Sequence, residues 1–164
     1  MKPVYVINGF LESGKTEFIC YTLGQPYFQI KGRTLLIVCE EGENEYDEVL
    51  LKRSRTDMEV IDEEEAFNAS HLIEFEKKYK PERIIIEYNG MWKFKNMKLP
   101  FHWTIEQQIT TIDASTFPMY FTNMRSLLAE MLRKSEMIIF NRCDDVEDLS
   151  VYKRNVKAIN QQAE

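Results

Sequence analysis

The 164 residues suit a single domain, because domains commonly contain about 100 to 200 residues. Apolar residues make up 44% of the chain and charged residues 29%, a balance typical of globular proteins. The formal net charge of −6 disfavours a nucleic-acid binder, which would need a basic face. No apolar run approaches the roughly 18 residues of a membrane span. Three widely spaced cysteines without a Cys-x-x-Cys pair favour reduced thiols and a cytoplasmic location.

Apolar, β-branched segments recur along the chain, and their near-continuous apolarity predicts strands that are covered on both faces. Five are clear and a sixth is short: VYVIN (4–8), TLLIVC (34–39), RIIIEY (83–88), ITTID (109–113), MIIFN (137–141) and residues 58–61. Helix-like segments lie between them. This alternation predicts an α/β domain of three layers, with a mostly parallel central sheet and helices on both faces.

The predicted helices are placed by apolar spacing and by cap residues. Residues 16–23 form the first, ended by glycine and proline. Residues 63–79 carry apolar positions three and four apart, with Asp62 as the predicted N-cap. Between 117 and 131 apolar residues recur at spacings of four and three, which predicts a helix with Pro118 in its first turn.

The strongest motif follows the first predicted strand. Residues 9–16 match the Walker A pattern G-x-x-x-x-G-K-[ST] in full. Glycines let backbone N–H groups point at phosphate oxygens, and the helix that follows adds its positive N-terminal end. Lys15 is predicted to reach the β- and γ-phosphates, and the Thr16 hydroxyl to ligate Mg²⁺. The predicted nucleotide-binding residues of this loop are Gly9, Leu11, Glu12, Ser13, Gly14, Lys15 and Thr16.

A second motif, Asn141-Arg142-Cys143-Asp144, follows the last predicted strand. A carboxylate just past a strand end accepts hydrogen bonds from guanine N1–H and from its exocyclic amino group, whereas adenine offers no such pair of donors. Asp144 therefore favours guanine over adenine. Asn141 is expected to brace the phosphate loop and touch the purine, and the stem of Arg142 to pack on the face of the base.

Together these motifs resemble the CobW-type GTPases, relatives of the hydrogenase and urease nickel-insertion GTPases. Five matches stand in the family's order between residues 4 and 144: GFLESGKTE at 9–17, then Glu40, Gly42 and Asp47, then Glu87-Tyr88-Asn89-Gly90 as the Walker B counterpart, then Asp113-Ala114, and finally Asn141 with Asp144. The resemblance implies a P-loop NTPase fold, GTP or GDP with Mg²⁺ as ligands, and hydrolysis of GTP to GDP and phosphate.

The resemblance also assigns expected roles to two carboxylates at predicted strand ends, where α/β sheets place their ligands. Glu40 is expected to hold the metal through a water. Glu87 is expected to do the same or to help place the attacking water, so that Lys15 and Glu87 are the predicted catalytic residues. Gly90 should sense the γ-phosphate. The alternative for each carboxylate is a structural role, as a helix cap or as the partner of a lysine.

This chain departs from the family pattern at several positions, so not every property of the family is expected here. The family's Cys-x-Cys-Cys motif is absent, since no cysteine lies between Cys39 and Cys143. The zinc-chaperone role of metal-handling members is therefore not expected here. Glu17 replaces a second threonine and Arg142 replaces the usual lysine, which leaves the affinity for GTP open.

Residues 88–103, read YNGMWKFKNMKLPFHW, hold three lysines among aromatic and methionine residues and contain no acidic residue. They begin where a nucleotide-responsive segment is expected, so they are predicted to dock a protein client, with Trp92 as an anchor. The alternative is that the aromatics only pack over the sheet. Homodimerisation, which nucleotide often drives in related GTPases, is left open.

The sequence therefore predicts one P-loop GTPase domain over residues 1–164, shortened at its C-terminal end relative to the family. The leading hypothesis is a Mg²⁺-dependent GTPase that acts as a switch or chaperone-like factor for an unidentified client. A second hypothesis is a scaffold module whose degenerate nucleotide site has no significant turnover. A third is an ATP-using P-loop enzyme, against which Asp144 argues.

Overall fold

The computed structural model describes residues 1–40, 45–144, 146 and 148–164. Within them a parallel sheet has the strand order β3-β2-β4-β1-β5-β6. The strands are β1 (Lys2–Asn8), β2 (Thr34–Val38), β3 (Thr56–Val60), β4 (Arg83–Glu87), β5 (Trp103–Asp113) and β6 (Met137–Asn141). The helices are α1 (Lys15–Leu23), α2 (Glu48–Arg53), α3 (Ala69–Tyr79), α4 (Phe117–Asn123), α5 (Arg125–Arg133) and α6 (Ser150–Ile159).

Helices cover both faces of this sheet, because successive residues of a strand point to opposite sides. In β1, Val4 and Val6 pack with the cluster that contains Leu72 of α3. Ile7 of the same strand packs with Ile19 of α1 on the other side. A third cluster joins α4, α5 and α6 to the end of the sheet formed by β5 and β6. The predicted three-layer α/β fold with a parallel sheet is confirmed.

The central strands carry most of the buried apolar surface. Every residue of β2 and of β4 is buried, whereas every residue of β6, at the edge of the sheet, is only half-buried. The six predicted strands are all present, although β5 begins at Trp103 rather than at Ile109. The residues 104–107 are polar or exposed, so apolarity did not reveal this first half of the strand.

The helix predicted over 63–79 is wrong at its start. The side chain of Asn68 accepts a hydrogen bond from the backbone N–H of His71 at 2.9 Å, so α3 begins after Asn68 rather than after Asp62. Residues 64–66 form a separate 3₁₀ turn. The start of α3 is therefore set by the side chain of Asn68, which accepts from an N–H that has no partner within the helix, and not by the acidic residues before it.

The helix predicted over 117–131 is two helices. Met124 has φ −131° and ψ 38°, outside the helical region, and separates α4 from α5. Pro118 lies in the first turn of α4, as predicted. In the described part of the chain no helix has the length and apolar character needed to cross a membrane.

Candidate nucleotide-binding site

The loop from β1 to α1 depends on glycine at both of its ends. Gly9 has φ 149° and Gly14 has φ 101°, conformations that L-residues rarely adopt. A Cβ atom on Gly9 would lie 2.5 Å from the carbonyl oxygen of Thr111, and one on Gly14 would lie 2.1 Å from Nδ2 of Asn141. Both glycines are therefore required by backbone conformation and by close neighbours.

Hydrogen bonds from the neighbouring strands hold this loop in place. Ser13 Oγ lies 2.8 Å from Thr111 Oγ1, on β5. Asn141, the last residue of β6, donates from Nδ2 to the carbonyl oxygen of Ser13 at 2.9 Å. This bond ties the end of β6 to the loop between β1 and α1. At the tip of the loop, Leu11 is 50% exposed and Glu12 has a left-handed backbone with φ 61°.

Lys15 lies buried at the base of the loop, with its side chain 3% exposed. Its Nζ donates to the carbonyl oxygen of Gly9 at 2.7 Å and forms an ion pair with Oε1 of Glu40. The other oxygen of Glu40 accepts from the backbone N–H of Gly90 at 3.2 Å. Glu40 thus pairs with a lysine, which was the structural alternative for it, but that lysine is the one expected to reach the phosphates.

Gly90 approaches the phosphate loop very closely. A Cβ atom there would lie 2.1 Å from the carbonyl oxygen of Gly9 and 2.8 Å from Cα of Phe10. Only a residue without a side chain fits this contact. The segment that follows β4 is therefore in direct contact with the phosphate loop, on the side where Glu40 already joins Lys15 to Gly90.

Two hydroxyl groups share the Glu87 carboxylate at the end of β4. Thr16 Oγ1 donates to Oε1 at 2.8 Å, and the Tyr46 hydroxyl donates to Oε2. Glu87 is only 2% exposed, and its burial raises its pKa, against the lowering effect of the two hydrogen bonds. Burial, together with the charge of Glu87, also raises the pKa of Tyr46, so its phenol stays protonated and donates.

Tyr46 was missed at the sequence level. The signal that could have found it is its position just before Asp47, the last residue of the second family match. Asp47 itself caps α2, since its side chain accepts from the backbone N–H of Val49 at 2.9 Å. Gly42, another residue of that match, lies outside the described residues.

The residues predicted to recognise the base lie at the end of the edge strand β6 and just after it. Arg142 adopts a left-handed conformation with φ 53°. Its guanidinium donates to the carbonyl oxygen of Glu12 and to Asp113 Oδ2 at 3.1 Å, and lies 3.4 Å from Glu17 Oε1. The two departures from the family pattern, Glu17 and Arg142, are therefore an ion pair. Asp144 is exposed at this end of the sheet.

The aromatic residues of segment 88–103 divide between the core and the surface. Trp103 is 5% exposed, and the half-buried Trp92 packs its ring 5.5 Å from that of Tyr88. Phe101 is 92% exposed and Met91 58% exposed. Trp103 thus belongs to β5, and Trp92 packs against the same buried cluster. The exposed large apolar groups of this segment are Phe101 and Met91.

The residues present fit a magnesium–nucleotide. A pocket beside the loop is lined by Leu11, Glu12, Gly14, Lys15, Thr16, Glu17, Glu40 and Glu87. A hydroxyl and two carboxylates supply the oxygen ligands that Mg²⁺ prefers, and Mg²⁺ is usually held by one or two carboxylates together with phosphate oxygens. The described residues contain no group of three or more histidine, cysteine or acidic side chains placed to hold a metal alone.

The strand–loop–helix geometry, with its buried lysine at the carboxyl edge of a parallel sheet, defines a P-loop nucleotide-binding domain. The family comparison makes this specific. The profile described as "CobW/HypB/UreG, nucleotide-binding domain" matches residues 3–164, so the chain belongs to that family.

Solved structures show the same fold at low sequence identity. The hydrogenase maturation factor HypB from Archaeoglobus fulgidus superposes with a TM-score of 0.65 and 17% identity, covering 99% of this chain and 79% of that one. The Zn(II)-bound YjiA GTPase from E. coli gives a TM-score of 0.66 and 18% identity, covering 99% of this chain. This chain spans only 56% of the YjiA chain. A search of curated protein sequences gives no significant match.

Proposed function

We propose that this chain binds GTP and hydrolyses it to GDP and phosphate in a Mg²⁺-dependent way. The observation that carries the proposal is the phosphate-loop geometry around Lys15. The positive-φ Gly14, the buried ammonium group of Lys15 and the Thr16–Glu87 hydrogen bond meet at one pocket. The YjiA GTPase among the structural neighbours supports the nucleotide class.

On the phosphate side, the chain supplies charge and orientation. Lys15 exchanges its bond with Glu40 for the β- and γ-phosphate oxygens, because two anionic partners then compete for one ammonium group. Thr16, Glu40 and Glu87 would hold Mg²⁺, which would offset the negative charge that develops on the phosphate oxygens. Glu87 would accept a hydrogen bond from the attacking water and so orient it.

On the base side, Asp144 accepts the two guanine donors while Asn141 keeps the loops at a fixed spacing. The ion pair of Arg142 with Glu17 and Asp113 ties this side to the phosphate loop. Guanine is therefore the proposed base, as Asp144 predicts.

The proposed biological role is that of a nucleotide-dependent switch or chaperone-like factor. Glu40 joins Lys15 to Gly90, so a change at the phosphates reaches the start of segment 88–103 directly. A client that contacts this segment meets Phe101 and Met91, which are exposed. Three free thiols fit the cytoplasmic location that the cysteine pattern predicts.

The second candidate function is a nucleotide-binding scaffold without turnover. The Lys15–Glu40 ion pair favours it, because it engages the charge that the phosphates need. Turnover separates the two functions: a GTPase releases phosphate and a scaffold only binds.

The test is phosphate release from GTP by the purified chain, with Mg²⁺ and with a chelator. We expect Mg²⁺-dependent release that Glu87→Gln slows about a hundredfold, the scale of losing a positioned acid or base. The matched control is Glu59→Gln, since Glu59 also accepts a tyrosine hydroxyl but lies on β3 away from the pocket. Nucleotide binding without release would favour the scaffold.

A further inference from the structure

Tyr46 makes a contact that the proposed mechanism has not used. Its hydroxyl donates to Oε2 of Glu87 while Thr16 donates to Oε1, so each carboxylate oxygen has a protein donor. A carboxylate has about four lone-pair positions, and two hydroxyls leave about two of them for other donors. The orientation of Glu87 is therefore set by two bonds from different elements, α1 and the segment before α2.

The phenol approaches Glu87 from outside the pocket. Thr16, Glu40 and Glu87 line the pocket beside the phosphate loop, whereas Tyr46 is not among its lining residues. Tyr46 packs instead with the apolar cluster that contains Ile19 of α1. The hydroxyl thus holds one oxygen of the carboxylate while Tyr46 itself stays outside the pocket lining, and about two lone-pair positions of Glu87 remain for other donors.

The position of Tyr46 is fixed by the chain that follows it. Asp47 has an extended backbone and caps α2 through the bond from Val49 N–H at 2.9 Å. The carbonyl oxygen of Asp47 accepts from the N–H of Leu51 at 3.0 Å, which begins the helix. Leu51 packs against the same apolar cluster as Tyr46. A capped helix therefore anchors the phenol at Glu87.

We propose that Tyr46 is a positioning residue for the metal side of this site: its hydroxyl holds Glu87 so that the remaining lone pairs of the carboxylate face metal-bound or attacking water. The inference rests on the proposed function, because it assigns a purpose to Glu87 within that function. It adds a residue that the Walker motifs do not contain. It also links the segment before α2 to the metal side of the site.

The variant that tests this is Tyr46→Phe, which removes one hydroxyl and keeps the ring. Loss of a group that orients a metal ligand typically lowers metal affinity about 10- to 100-fold. We expect Tyr46→Phe to weaken Mg²⁺ binding to the protein–GDP complex on this scale, measured by calorimetric titration. Affinity for GDP in a chelator should match that of the wild type, because Tyr46 does not line the pocket.

Tyr79→Phe is the matched control, since the Tyr79 hydroxyl also donates to a carboxylate, that of Glu59, outside the pocket. This control should leave both affinities unchanged. Equal Mg²⁺ affinities for Tyr46→Phe and the wild type would overturn the inference. So would a loss of GDP affinity in the chelator, because the hydroxyl would then serve the folding of the loop. If wild-type GDP binding did not respond to Mg²⁺ at all, the proposed function would fail before either variant was compared.

Discussion

The two sides of the candidate site are built differently. On the phosphate side, Lys15 and Glu87 are 3% and 2% exposed, and the strands beneath them, β2 and β4, are buried along their whole length. On the base side, the side chain of Arg142 is 41% exposed, Asp144 is exposed, and β6 is half-buried throughout.

Because of this difference, we expect the two sides to contribute differently to the affinity for nucleotide and to the selectivity for the base. Buried charges interact more strongly than exposed ones, because water screens them less. The phosphate side should therefore supply most of the binding free energy, whatever the base. The base side, held by a few hydrogen bonds at the edge of the sheet, should decide which base is accepted while contributing less affinity.

The largest expected effect is that of Lys15→Ala. A hydrogen bond to a charged group contributes about 1.5–3 kcal/mol, and every 1.4 kcal/mol is tenfold in affinity. Lys15 is expected to contact two phosphates, so its loss should weaken GTP and GDP binding about a hundredfold or more, measured by calorimetry. ATP affinity should fall by a similar factor, because Lys15 contacts the phosphates and not the base. Unchanged affinity would contradict the phosphate-loop assignment.

The next largest effect should come from Asp144→Ala. Losing two charge-assisted hydrogen bonds at an exposed site should weaken GTP binding about 10- to 100-fold while leaving ATP binding unchanged. The control is Asp148→Ala, an exposed acidic residue nearby that accepts from the N–H of Ser150 at 2.8 Å. If Asp144→Ala weakened the binding of GTP and ATP equally, the base side would not determine selectivity.

A smaller effect is expected for Gly90→Ala. The added Cβ would meet Gly9 O at 2.1 Å and must displace the phosphate loop or segment 88–103. We expect about a tenfold loss of GTP affinity, the cost of about 1.4 kcal/mol of strain. Gly24→Ala is the control, because its Cβ would meet its nearest neighbour at an ordinary 3.6 Å. A GTP affinity of Gly90→Ala equal to that of the wild type would show that the loop or the segment moves aside without cost to binding.

The smallest effect expected is on stability, and its pH dependence has opposite signs on the two sides. Burial raises the pKa of Glu87 in the folded protein. The contribution of Glu87 to the free energy of unfolding therefore falls as pH rises above its ordinary pKa of 4.5. Burial acts to raise the pKa of Asp113, but bonds from Ser115 and Arg142 outweigh it and lower the pKa below 3.8. Asp113 therefore stabilises the fold above that pH and loses this effect in acid.

Urea unfolding at several pH values measures these signs. Between pH 4 and 8, the free energy of unfolding of Glu87→Gln should rise relative to the wild type. That of Asp113→Asn should fall relative to the wild type as pH increases through the acid range. Parallel curves for the two variants would contradict the electrostatic contrast between the sides.

The sequence revealed the parts of the fold that local signals determine. Apolar runs located five of the six strands, although only the second half of β5, because strands covered on both faces need apolar side chains throughout. The spacing of Gly9, Gly14 and Lys15 located the phosphate loop, because backbone geometry requires those residue types there. The order of the matching motifs was enough to indicate the family.

The parts that depend on tertiary contacts were not predictable. The Lys15–Glu40 ion pair and the Tyr46–Glu87 hydrogen bond join residues 25 and 41 positions apart, which no local pattern reports. The helices α2 and α6 were missed because α2 is short and α6 carries only one buried residue, Val156. The break at Met124 was not predictable either, because the apolar spacing across it fits one continuous helix as well as two separate helices.

Displacement of labelled GDP tests most directly whether this family member uses Mg²⁺ and guanine nucleotides. GTP and ATP would be titrated against the protein–GDP complex, with Mg²⁺ and with a chelator. Asp144 should make GTP effective at about a hundredfold lower concentration than ATP, and Mg²⁺ should strengthen GTP binding. Displacement by ATP as readily as by GTP, or GTP binding that Mg²⁺ leaves unchanged, would contradict the account.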